Sequence, residues 1–185
     1  SIIFPVFSDA VIFQTDFNEL PNNWYANSSW EFGPYGAVTN SSWPDTWWDA
    51  DMLTTNSSTE LVYFIPDGTD SIIVTIPYYL LAQVSEGNAN FNILMKASGS
   101  TWIEIWSRSL SYEGTINETA TINASPDWIS GGEWIGIRFY GYGSCIDVGS
   151  LSVDWRIYGL TITAIGDSLA LDNATWADIK HISEW

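Results

Sequence analysis

Residues 90–98, NFNILMKAS, decide the fold class. Phe91, Ile93 and Met95 alternate with Asn92, Leu94 and Lys96, and a period of two is the mark of a strand with one face buried. The same pattern recurs on both sides. Residues 133–140, EWIGIRFY, set Ile135, Ile137 and Phe139 on one face and Arg138 on the other. Residues 101–108, TWIEIWSR, set Ile103 and Ile105 against Trp102, Glu104 and Trp106. Residues 61–66 (LVYFIP), 71–83 (SIIVTIPYYLLAQ, bent or broken at Pro77), 115–123 and 151–163 (LSVDWRIYGLTIT) read as further strands. The links hold Gly, Asn, Ser and Asp. Short strands at regular spacing, joined by turn residues, predict an all-β antiparallel sandwich of the jelly-roll or pilin-like kind. Residues 173–182, NATWADIKHI, fit a short helix capped by Asn173 or equally a strand.

The 185 residues suit one domain large enough to bury a core without disulfides. The single cysteine, Cys145, is expected among the buried apolar residues. The net charge is −17, from 22 acidic and 5 basic residues. Lys96, Arg108, Arg138, Arg156 and Lys180 are scattered, so no basic stripe tracks a phosphate backbone, and nucleic acid and anionic membranes are poor partners. No run of apolar residues is long enough to span a bilayer as a helix. The charged fraction is 15%, low enough that Ser, Thr and Asn must cover much of the surface.

N-x-[ST] occurs at Asn27, Asn40, Asn56, Asn117, Asn123 and Asn173. Six acceptors in so short a chain predict N-glycosylation, a secretory route, and a mature amino terminus left by signal-peptide removal. Residues 1–7, SIIFPVF, carry no charge. Residues 10–17 already supply a first strand, so 1–7 are either part of their own sandwich or an extra strand. As an extra strand, residues 1–13 would add to a sheet edge on a neighbouring copy, through Ile2, Ile3, Phe4, Val6 and Phe7, with Val11 and Phe13 contributing. Such a head-to-tail contact does not close, and builds a filament. The head domain would then be residues 14–185.

Catalytic patterns are weak. His181 is the only histidine, and no G-x-S-x-G elbow or Gly-rich phosphate loop is present. Glu104 and Glu133 are the formal candidates for a glycosidase pair. Lys96 or Lys180 could form an isopeptide bond, although nothing selects a partner. These readings predict no enzyme, no cofactor beyond covalent glycans, and no committed metal site. In residues 43–51, WPDTWWDAD, the carboxylates Asp45, Asp49 and Asp51 are hard-oxygen candidates for calcium without the spacing of an EF-hand loop. Trp43, Trp47 and Trp48 of the same segment either pack or form a flat platform for sugar rings.

Two resemblances follow from these residues. DFNELPNNWYANSSWEFGPYG (16–36), with STWIEIWSRS, EWIGIRFYGYG and SLSVDWRIYGLTIT, resembles the jelly-roll domains of the MAM-like and cleaved-adhesin type, which implies adhesion or an accessory role. The whole layout, an apolar leading strand before one glycosylated, charge-poor β-head, resembles the thread-filament subunits of thermoacidophilic archaea. That implies a cell-surface homopolymer joined by donor-strand complementation, serving adhesion or biofilm. The alternative is a secreted carbohydrate-binding module with Trp43, Trp47 and Trp48 as its platform.

Overall fold

The computed structural model describes residues 8–41, 47–49, 53–124, 129, 131–145 and 151–166. Within them the chain is all-β, and every strand pairing is antiparallel. The strands are β1 (Ser8–Thr15), β2 (Trp24–Ala26), β3 (Trp30–Gly33), β4 (Gly36–Ser41), β5 (Trp47–Asp49), β6 (Leu53–Thr55), β7 (Tyr63–Phe64), β8 (Ser71–Ala97), β9 (Ile103–Asn123), β10 (Trp134–Cys145), β11 (Leu151–Ile157) and β12 (Leu160–Gly166).

β8 organises the rest. Residues 71–83 and 90–98 read as separate strands, yet they are one strand of 27 residues. Its buried apolar side chains run on even numbers from Ile72 to Val84, then on odd numbers from Ala89 to Ala97. The change of parity comes from the pairing with β9. Gln83 faces Glu113 and Asn88 faces Ser111, so Val84–Gly87 lie opposite Tyr112 alone. Extra residues on one strand bend it and sharpen its twist. Tyr112 takes φ 63° and Gly87 φ 137°, both in the left-handed half of the map. A Cβ on Gly87 would stand 2.0 Å from the Ser144 carbonyl oxygen.

The bend puts the two halves of β8 in different layers. Along its second edge β8 takes β12 at residues 71–75, β11 at 78–84 and β10 at 87–97. Pro77 sits where one partner gives way to the next. No ladder bond needs its missing N–H there, and its carbonyl accepts from the Tyr158 amide at 2.9 Å. The first half continues through β11 to β4 and β3, the second through β10 to β6 and β2. The inner faces of these layers meet, which makes the antiparallel sandwich. Trp155 on β11 is buried, with Phe91 at 5.4 Å, Phe139 at 6.1 Å and Trp30 at 5.4 Å between ring centroids. β9 folds with β8, so Arg108 and Glu118, ten residues apart on one strand, form an ion pair at 3.1 Å.

The opening DFNELPNNW segment supplies the plug at one end. Phe17 is fully buried and packs edge-on to Trp24 and Phe139. The Trp24 indole N–H donates to the Tyr63 hydroxyl at 2.6 Å, and burial pushes that phenol well above its ordinary pKa. β1 pairs with β12, from Ser8 opposite Gly166 to Thr15 opposite Leu160. In the 101–108 stretch the expected alternation is broken by a slip in register at Ile93/Leu94. Ile103 is exposed, Ile105 and Trp106 are half-buried, and Trp106 packs on Tyr78. Cys145, expected in the core, is only half-buried at the end of β10.

The corner can be tested with two glycines. Gly87→Ala meets both an unfavourable φ and a backbone atom; Gly99→Ala meets only the φ of 74°, with nothing within 4 Å. Chemical denaturation should show Gly99→Ala losing about 1 kcal/mol. Gly87→Ala should lose more than roughly 3 kcal/mol, since strain and clash add. Equal losses would show that the corner is not tightly packed.

Candidate functional site

The outer face of the second layer carries the candidate site. Residues 140–144 read Tyr-Gly-Tyr-Gly-Ser, and alternation along β10 turns the tyrosines and serine outward and the glycines inward. A side chain at Gly141 would strike the Trp48 indole at 2.4 Å, so the glycine makes room for it. β5 pairs there as Asp49 with Tyr142, Trp48 with Gly143 and Trp47 with Ser144. Trp48 is therefore core, 4% exposed, and Trp47 is outside, 63% exposed. The two tryptophans face opposite ways, so the fold does not build a platform that includes Trp48. Trp43 lies outside the described residues.

Tyr142 is 43% exposed, and its ring stands 5.5 Å from that of Tyr140. Directly opposing residues of an antiparallel pair share a face. Tyr140 opposes Asn92 on β8, Tyr142 opposes Asn90 and Ser144 opposes Asn88. Beyond them on β9 come Ser107, Ser109 and Ser111. The Asn92 amide donates to the Tyr140 carbonyl at 3.3 Å and braces the row. Asn88 and Asn90 keep their amides without a protein partner among the described residues. The result is two or three aromatic surfaces flanked by amides and hydroxyls. An amide donates and accepts, as a sugar hydroxyl does.

An ion-pair cluster closes the other end of the face. Glu60, held at φ 64°, accepts from Lys96 at 2.8 Å, Arg138 at 3.0 Å and the Trp102 indole at 3.2 Å. The Arg138 guanidinium lies 4.3 Å above the Trp102 ring, so it covers one face of that indole. The Lys96 hydrogen bond, ahead of the two cations' charge, holds the Glu60 carboxyl below its ordinary pKa. With Arg108 on Glu118 and Arg156 on Asp154, all four described cations have a carboxylate partner.

The expected sequons fall mainly elsewhere. Asn117 and Asn123 on β9, and Asn40 on β4, are exposed. They oppose Tyr79, Ile73 and Asp154, all on the outer face of the first layer. Asn56 is exposed beyond β6, and Asn27 is half-buried after β2, its side-chain oxygen accepting from the Ser29 amide. Asn173 is outside the described residues.

Of the expected docking strand, Val11 is exposed and Phe13 is half-buried, stacked 4.3 Å from Tyr63. Both belong to β1, so residues 8–13 sit in the chain's own sheet. Ile2, Ile3, Phe4, Val6 and Phe7 lie outside the described residues, as do Asp45, Asp51, His181, Lys180 and the 173–182 segment. Asp49 is half-buried, Glu104 is exposed opposite Leu94, and Glu133 is half-buried just before β10. Among the described residues no cluster of three His, Cys, Asp or Glu could hold a metal ion. A shallow concavity of about 590 Å³ lies between Thr15, Pro77 and Tyr158.

No protein-family model matches this chain, and no curated protein matches it. Solved structures offer distant likenesses. One is a carbohydrate-binding module, CBM28, described as specific for non-crystalline cellulose, with TM-score 0.41 and 9% identity over 75% of this chain and 86% of that one. Another is from infectious bursal disease virus Gx strain, with TM-score 0.41 and 12% identity over 86% of this chain. This chain spans about a third of that one, 32% of its length.

Glu60 gives a pH-dependent prediction. A carboxyl whose pKa is lowered by folding stabilises the fold while ionised, and that contribution is lost as pH falls below the ordinary value of 4.5. At neutral pH E60Q should cost only about 0.5–1 kcal/mol, because the pair is partly exposed. Below pH 4.5 the gap between wild type and E60Q should close, as read by urea denaturation across pH. A gap that persists in acid would assign the role to packing instead of charge.

Proposed function

We propose that this protein binds carbohydrate outside the cell, through the outer face of the β10 layer, and that it recognises without catalysing. One observation carries the reading: Trp47, Tyr140 and Tyr142 share an outward face with the amides of Asn88 and Asn90. Aromatic rings facing water serve little purpose in folding, and exposed aromatics grouped with polar atoms are the usual makings of a recognition surface. Three sequons fit the same division, while Asn56 and Asn27 follow β6 and β2 of the second layer. Asn40, Asn117 and Asn123 occupy the opposite outer face, so glycans attached there would leave the β10 face bare. A secreted origin rests on the six acceptor sequences and the low charged fraction.

Affinity electrophoresis through gels containing soluble polysaccharides tests the reading. The full chain should be retarded by at least one polysaccharide. W47A and Y142A should each weaken that retardation about tenfold, as truncation of an aromatic anchor does. Retardation unchanged in both variants would move the binding surface elsewhere and defeat the proposal.

A second reading keeps the filament subunit. β1 has one strand partner among the described residues, β12, and five large apolar residues precede it in the sequence. We propose that residues 1–7 add to a sheet of an adjacent copy, as an apolar strand does at an open edge. Electron microscopy of the undenatured protein should then show thin threads that vanish when residues 1–7 are removed. Monodisperse particles in both samples would eliminate this reading; the two readings are compatible, since one uses a sheet edge and the other a sheet face.

A further inference from the structure

We infer that the ligand of the β10 face is an uncharged, unbranched oligosaccharide segment lying along the strand, and that anionic polysaccharides are rejected. This rests on the carbohydrate-binding reading and specifies its substrate class.

The shape of the face supplies the first reason. The outward positions run in line from Arg138 through Tyr140 and Tyr142 to Ser144, with Trp47 beside the last. Six residue steps of a strand cover about 20 Å. Successive outward residues stand about 6–7 Å apart, so the rings form a linear series instead of one cup. A linear series contacts a chain at several points. A cup would select a chain end or a single sugar.

Charge supplies the second reason. A uronate or sulfate needs a free cation on the face, preferably an arginine fork. Arg138 is the one cation in the outward row of β10. Its guanidinium donates to Glu60 and stands 4.3 Å from the centre of the Trp102 ring. Lys96 is bound to the same carboxylate. Asp49 shares the face with Tyr142, and the chain as a whole carries −17. Along Tyr140–Ser144 an approaching polyanion finds the Asp49 carboxylate and no cation, while Lys96 and Arg138, which share Glu60, stand at the far end of the row. An uncharged chain meets aromatic surface, two amides without a partner among the described residues and a row of serines. Such contacts are indifferent to charge and select by hydroxyl geometry.

The sequence position of the cluster supplies the boundary. Arg138 covers one face of Trp102 and is itself paired with Glu60. The binding strip ends there, and Asn90, midway along it opposite Tyr142, becomes the central polar contact.

The experiment is calorimetric titration of the full chain with linear hexasaccharides, neutral gluco- and manno-oligosaccharides on one side and oligogalacturonate and oligomannuronate on the other. Wild type, N90A and Y142A are compared at low salt and at about 0.5 M salt. At least one neutral hexasaccharide should bind at least about tenfold more tightly than either anionic one. Its affinity should be insensitive to salt, and it should fall about fivefold in N90A and about tenfold in Y142A. Near-ultraviolet circular dichroism should confirm that both variants, altered at outward positions, keep the fold. Anionic ligands bound as tightly as neutral ones, with loss in Y142A, would overturn this inference and leave carbohydrate binding at the face intact. Neutral binding that N90A leaves unchanged would overturn the role of the amide row, and with it the inference. No binding of any saccharide would defeat both this inference and the reading beneath it.

Discussion

A strand of 27 residues cannot stay flat in a domain of this size, so everything else depends on how β8 bends. The bend is local: four residues oppose one, Gly87 and Tyr112 take left-handed φ, and the inward parity changes from even to odd. That change keeps apolar side chains inside on both sides of the corner. Without it the second half would turn Asn88, Asn90 and Lys96 into the core. The corner also sets the partners. One edge of β8 is taken by β9, at residues 73–83 and 88–95, and the other is shared in turn by β12, β11 and β10. The sandwich is thus one folded sheet whose halves press together around Trp155.

The same corner separates two surfaces of different chemistry. The first layer turns outward a Thr- and Asn-rich β9 segment with two sequons, together with the Asp154–Arg156 pair. The second turns outward the tyrosines of β10, Trp47 and the amides of β8. The inward glycine at 141 is part of this arrangement, since it admits Trp48 beneath the tyrosines and so supports the face from below. Core packing and surface chemistry are coupled at one strand: altering Gly141 disturbs Trp48, and Trp48 is the neighbour of Trp47.

Much of this was legible in the residues. The inward sets Phe91, Ile93 and Met95 and Ile135, Ile137 and Phe139 are as the period of two predicts. The corner was not legible, because residues 84–89 contain Ser, Gly and Asn, which read as a turn between strands. Only pairing with a distant strand shows that they continue one. For Trp47 and Trp48 the residues leave packing and platform as alternatives for the whole segment, although the strand period that sorts Phe91 from Asn92 sorts these two as well. The repeated Tyr-Gly of 140–143 held the signal for the candidate face. The Glu60 cluster had no sequence signal, since its partners lie 36, 42 and 78 positions away.

The pairing of β1 with β12 joins the first described strand to the last. A chain made from its amino end must therefore hold Ser8–Thr15 unpaired until Leu160–Gly166 has emerged. The β8–β9 ribbon needs only neighbouring residues and can form early. Its inner face, Ile72 to Ala97, stays uncovered until β10 and β11 follow. Synthesis thus builds the hinge first and the lid last. The interval between them is when the aromatic interior stands open to chaperones and to other chains.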